Sequence, residues 1–212
     1  AVGPMGGGLP ITGPNDAFVM AYDPFDLTPT PNGESSAGTA GEGSGNAIDV
    51  ASISQVGNSL DIAIAGDAEG DITNWGPTTN TINNAFVTRL NFNTTTNTFT
   101  HQWTNVLDYA GQVQDASGTG VVFSELQIHA SGVFDGNNFD VFGGGCPQPG
   151  APGTLSGFQV GFDRFGGFCI NSGTTQSFFP GHTAVDIAFE SNVVYVTGDY
   201  EEEFTMNIPS GI

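Results

Sequence analysis

Large apolar residues recur at every second position in short stretches along this chain. Asp16-Ala17-Phe18-Val19-Met20-Ala21-Tyr22-Asp23 carries Phe18, Met20 and Tyr22 on one side of an extended backbone. Asn84-Ala85-Phe86-Val87-Thr88-Arg89-Leu90-Asn91 and Ser156-Gly157-Phe158-Gln159-Val160-Gly161-Phe162-Asp163 repeat the pattern. A period of two predicts strands with one face buried. Ala47-Ile48-Asp49-Val50-Ala51 and Ala184-Val185-Asp186-Ile187-Ala188 form another recurring pair, with Gly120-Val121-Val122-Phe123 as a degenerate middle copy. After each comes an alternating run ending in glycine: 60–66, 139–143 and 193–198. Gly57-Asn58, Gly136-Asn137 and Ser191-Asn192 precede these runs and predict hairpin turns.

The order is apolar-Asp-apolar-Ala, turn, a Val-Tyr-Val-Thr-Gly type strand, loop, then the Phe-bearing strand. It resembles the bacterial β-propeller repeat often called SBBP. The segments carrying the resemblance are 16–19, 84–91, 184–186 and 194–198. The resemblance implies an all-β fold of about three four-stranded antiparallel propeller-like units with long Gly/Pro-rich inserts at 24–45 and 144–155. Unit 1 is expected over 47–107, as strands 47–53, 60–66, 84–92 and 98–107. Unit 2 is expected over 120–170, as strands 120–128, 138–143, 156–163 and 165–170. A partial unit 3 covers 184–205, behind an N-terminal arm at 1–15 and a donor-like strand at 16–23. The chain is thus circularly permuted, and its N-terminal strand completes the last unit. Closed propellers use four to eight blades. Three units therefore imply exchange between subunits, with Phe18, Met20 and Tyr22 of one copy laddered onto Val194 and Val196 of the next. Closure within one chain in another β fold, and a fragment of a larger propeller, are the alternatives.

Composition narrows the functions. Lys and Arg together number two, Arg89 and Arg164, against 22 Asp and Glu, for a formal net charge of −20. With so few cations to neutralise phosphates, nucleic acid is excluded as a partner. Anionic membrane surfaces are disfavoured for the same reason, and no apolar run is long enough to insert in a bilayer as a helix. Assembly of such copies requires salt, protons or divalent cations to damp repulsion. Ala1 reads as a mature N-terminus and the protein as secreted to an extracellular or cell-surface location. Cys146 and Cys169 are then expected to form a disulfide. Asn93 opens a formal glycosylation sequon on a Thr-rich turn.

The acidic loops Asp67, Glu69, Asp71 and Asp199, Glu201, Glu203 align between units. Carboxylates at i, i+2 and i+4 suit Ca²⁺ as a bound cofactor. A solvated acidic rim is the competing account. Asp49 and Asp186 share an inner-strand position and are expected to cap neighbouring turns. His101, His129 and His182 lack metal-binding spacing. No nucleophile elbow occurs, and acids are too abundant for any chosen pair to signal glycoside hydrolysis. The expectation is a non-enzymatic, self-assembling structural protein whose partners are copies of itself. The alternative is an extracellular module binding glycan or protein, with Phe25, Trp75, Trp103, Phe178 and Phe179 as a platform.

Overall fold

The computed structural model describes residues 15–39, 41–51, 58–76, 83–108, 115–135, 138–141, 148–149, 155–170, 176–180 and 183–199. Among these the chain is entirely β, with no helix. The strands are β1 (Phe18–Tyr22), β2 (Pro29–Ser36), β3 (Gly43–Val50), β4 (Ser59–Glu69), β5 (Asn83–Asn93), β6 (Thr98–Asp108) and β7 (Ala116–Phe123). They continue with β8 (Gln127–Asp135), β9 (Asn138–Val141), β10 (Gln148–Pro149), β11 (Leu155–Asp163), β12 (Gln176–Pro180), β13 (Asp186–Glu190) and β14 (Val193–Thr197). All pairings are antiparallel, in four sheets: β1-β2, β10-β9-β6-β5-β4-β3, β12-β11-β8-β7 and β13-β14.

Period-two alternation gives the six-stranded sheet two different faces. Ala63, Ala65, Ala85, Val87, Trp103 and Leu107 point to the four-stranded sheet. There they meet Val121, Phe123, Ile128, Ala130, Phe134, Phe158, Val160 and Phe162. Ala63, Ala65 and Ala85 leave room for the Phe side chains of the facing sheet, so the two inner faces interdigitate. The opposite face, with Ile62, Ile64, Phe86, Leu90, Phe92 and Val106, packs under Ala17, Val19 and Ala37 of the β1-β2 hairpin, with Ile72 and Trp75. On the far side of the four-stranded sheet, β13 lies against β7 and β8. Ile187 is buried there, and Thr119 Oγ1 donates to the Ala184 carbonyl at 2.5 Å. Four layers therefore follow one another, and β3, β7 and β13 lie along the same side of the stack.

Unit 1 has the predicted strand set, β3 to β6 in order. Unit 2 differs. Its second strand is β8, whose Ala130, Ser131 and Gly132 pair with both β7 and β11. The expected second strand at 138–143 instead supplies β9, which ladders onto β6 through Val141 opposite Leu107. Gln127–Asp135 is buried continuously from Ile128 to Gly132, as a strand laddered on both edges and covered on both faces must be, so it fills that place in the sheet. The segment 24–45, read as an insert, contains β2 and the start of β3. Two Asx turns organise its entry: Asp23 accepts from the Phe25 N–H at 2.8 Å and Asp26 from the Thr28 N–H at 2.9 Å. Pro29 and Pro31 fit because β2 lies at the edge of a two-stranded sheet.

Candidate assembly surface

The 16–23 strand of one copy is expected to ladder onto 193–199 of the next. Within one molecule β1 pairs with β2, and β14 with β13, leaving the second edge of each open among the described strands. A strand bonds left and right at alternate residues, so parity shows which groups remain. The Ala37 N–H donates to the Ala17 carbonyl and the Asp23 N–H to the Thr28 carbonyl, both at 2.9 Å. Odd positions of β1 thus serve β2, and Phe18, Met20 and Tyr22 turn their main-chain groups to the open edge. In β14 the Thr197 carbonyl accepts from Val185 N–H at 2.7 Å. Ser191 and Asn192 form a two-residue turn with φ of 52° and 64°. Odd positions here serve β13, which leaves Val194 and Val196 facing outward along the edge. Val19 is buried in the core, and the other side chains of both strands are half-buried or exposed, with Phe18 at 46%, Tyr22 at 48% and Tyr195 at 52%. A cleft of about 200 Å³ runs beside β1 and is lined by Phe18, Val19, Met20, Gly45, Asn46, Ala47, Ile48 and Ile64, none of them charged.

The two cations of the chain meet one carboxylate. Arg164 Nε and Nη2 donate to Asp61 Oδ2 at 3.0 and 2.7 Å, and Arg89 Nη2 donates to Oδ1 at 2.8 Å. Asn91 adds a bond to Oδ1 at 3.3 Å. All three charged residues are buried. Burial pushes the Asp61 carboxyl up, but hydrogen bonds from Arg164 and Arg89 and the Arg89 charge outweigh it and hold it below its ordinary value. The guanidiniums also face aromatic rings, Arg164 over Phe123 at 5.0 Å and Arg89 over Phe165 at 5.4 Å. Trp103 Nε1 closes the cluster on the Arg164 carbonyl at 3.0 Å. Since the whole sequence has no other Lys or Arg, its surface carries no cationic side chain except histidine. Sequence reasoning passed over this triad. Two arginines in a Lys-free chain, one on a predicted strand and one just past another, were the signal for it.

Among the described residues no three His, Cys, Asp or Glu side chains could hold a metal ion together. Asp67 Oδ1 accepts from Ser44 Oγ at 2.6 Å, Asn46 Nδ2 at 2.8 Å and Ser117 Oγ at 3.0 Å, tying the six-stranded sheet to the four-stranded one. Glu69 ends β4, and Asp71 and Asp199 lie just past strand ends, while Glu201 and Glu203 fall outside the described residues. Asp49 reaches further than a local cap. Its Oδ1 takes the Val50 N–H at 2.9 Å, and its Oδ2 takes the Phe123 N–H of the next layer at 2.8 Å. Asp186 makes the equivalent local bond to Ile187 N–H at 2.8 Å.

Asn93 caps its own hairpin, accepting from Thr95 and Thr96 N–H at 2.9 and 3.1 Å. Among the described residues no cysteine is a free thiol; Cys169 sits by Gly161 and Phe162 of β11, and Cys146 falls outside them. Burial pushes His101 down, and pushes His129 down to about 4. His129 stacks on Phe189 with ring centroids 6.1 Å apart and meets Gln159 at 3.3 Å. His182 lies outside the described residues. A glycan platform loses Trp75 and Trp103, which are buried core residues. The side chains of Phe178 and Phe179 are also outside the described set. No family model matches the chain, and neither the curated proteins nor the solved structures contain a match to it.

Proposed function

We propose that this protein is a non-catalytic structural component that joins copies of itself by β-strand pairing, in an extracellular, cation-rich setting. The observation that carries this is the pair of uncharged strand edges, β1 and β14, open among the described strands, on a molecule whose two arginines both pair with Asp61. No Lys or Arg remains for a salt bridge between copies. Contact must then rest on main-chain hydrogen bonds and apolar burial, the terms that strand addition supplies. A propeller-like arrangement of the units accords with the way β3, β7 and β13, the first strands of the three units, run along one side of the stack. The proposal includes a Cys146–Cys169 bridge that pins the 144–155 segment.

Repulsion between acidic surfaces opposes association until it is screened, and the Debye length falls from about 30 Å at 0.01 M to about 8 Å at 0.15 M salt. Sedimentation velocity and electron microscopy of the purified protein, at low salt and with added NaCl or CaCl₂, test the idea. The expected result is particles well above the 21.9 kDa monomer, growing with ionic strength. A monomer under every condition rejects it.

A further inference from the structure

The two hairpins at the ends of the layer stack are complementary halves of one repeat unit. β1 carries the Asp-Ala-Phe-Val motif of a third strand and β2 stands as its fourth, while β13 and β14 carry the motifs of strands one and two. We infer that the unit is completed between copies: β14 of one molecule ladders onto the open edge of β1 of the next, forming a four-stranded sheet in the order β13-β14-β1-β2. This rests on the self-assembly proposed above and names its contact.

Burial at equivalent repeat positions argues for it. Phe86 and Leu90 in unit 1, and Phe158 and Phe162 in unit 2, are all fully buried. Phe18 and Tyr22 occupy the same motif positions in β1 and are nearly half exposed. Among the described residues no layer of the same molecule covers them. In unit 1 the pairs are Gly66 with Phe86, Ile64 with Thr88 and Ile62 with Leu90. Carried to the composite sheet, this register sets Gly198 opposite Phe18, Val196 opposite Met20 and Val194 opposite Tyr22. Parity agrees, because these even positions are the ones whose main-chain groups face the two open edges.

The faces agree as well. Val194 and Val196 share a face with Phe189 and Ile187, their direct partners on β13, and Ile187 is buried against the four-stranded sheet. Met20 and Tyr22 of the next copy extend that face. Val193 and Tyr195 point the other way, toward the uncharged cleft beside β1 and the exposed Ile48 and Val50 of the next copy. Asp186 repeats the position of Asp49, but its second oxygen has no next layer among the described residues, whereas that of Asp49 holds the Phe123 N–H. Charge selects a second copy of this chain as the occupant. Neither β1 nor β14 carries a charged residue, so two molecules at −20 can meet there without opposing acids in the ladder.

The test is a disulfide across the composite sheet. Directly opposed residues there have Cα atoms about 5.5 Å apart, within the range a disulfide spans. Met20→Cys and Val196→Cys are made as separate variants, mixed under assembly conditions and oxidised. The expected result is a covalent dimer linked between positions 20 and 196 by peptide mapping, formed in the mixture and by neither variant alone. Particles above monomer mass without that link overturn this pairing and leave self-assembly standing. Monomers throughout overturn self-assembly itself. In a third variant carrying both substitutions, a link formed within single molecules also overturns the inference. Tyr195→Asp, on an exposed side chain, is a second probe. It is expected to leave monomer melting unchanged and to raise the protein concentration needed for assembly by about tenfold or more. Assembly at an unchanged concentration counts against the contact.

Discussion

Asp61→Asn isolates the triad that removes positive charge from the surface. The wild-type carboxylate receives two bonds from Arg164, one from Arg89 and one from Asn91, at 2.7 to 3.3 Å. The substituted amide keeps the shape but loses the charge and puts an N–H₂ donor where an acceptor oxygen stood, facing a guanidinium. Removing one partner of a buried ion pair costs about 3–5 kcal/mol, because the remaining charge stays buried without compensation. Here two guanidiniums are stranded, so the upper half of that range applies. With a urea m-value of about 2–3 kcal/mol/M, the unfolding midpoint should fall by about 1.3–2.5 M. Replacing Asp61, Arg89 and Arg164 together by apolar residues of similar volume should recover most of the loss. The carboxyl is held below its ordinary value, so its stabilisation is complete above the unfolded value of about 4 and disappears as pH falls through the folded value. The gap between wild type and Asp61→Asn should therefore be constant from neutral pH down to about 4 and close below it. A midpoint shift under about 0.3 M at pH 7 would mean that both guanidiniums reach water, and the buried triad would be refuted.

Three further outcomes follow from particular contacts. His129 is neutral when folded and titrates near 4, against about 6.5 unfolded, so stability is lost as pH falls between these values, by about 3 kcal/mol in all. Chemical denaturation of wild type and His129→Gln at several pH values should give a difference that changes through this window; a flat difference argues that the ring is not buried. Gly132→Ala places a methyl about 2.5 Å from the Phe158 ring and should lower stability by about 1–3 kcal/mol, measured as a drop in Tm. Asp67→Ala leaves Ser44, Asn46 and Ser117 without their shared acceptor and should destabilise by about 1–3 kcal/mol. The same loss should appear with calcium or with a chelator. A loss seen only with calcium would give Asp67 a cation to hold.

Period-two patterning was enough to read an all-β chain, the four strands of unit 1 and the Phe-bearing strands β1, β5 and β11, because alternation is a local property of an extended backbone. It could not assign Asn138–Val141 to β6 rather than to unit 2. Strand partners are chosen by what closes over a shared core, and neighbouring candidates 127–135 and 138–143 both alternate. Local pattern also missed β2, whose prolines and glycine resemble a loop until an edge position makes them acceptable. The arginines were visible as the only two cations. Their convergence on Asp61 needed β4, β5 and the end of β11 brought together, a long-range consequence of sheet packing. Likewise the repeat placed β1 and β14 in one unit, but only the packed layers show that, among the described residues, both edges are open and Phe18 is half exposed where Phe86 and Phe158 are buried. Sequence specifies the strand and its faces; the tertiary structure decides what lies against them, because burial depends on neighbours far away in the chain.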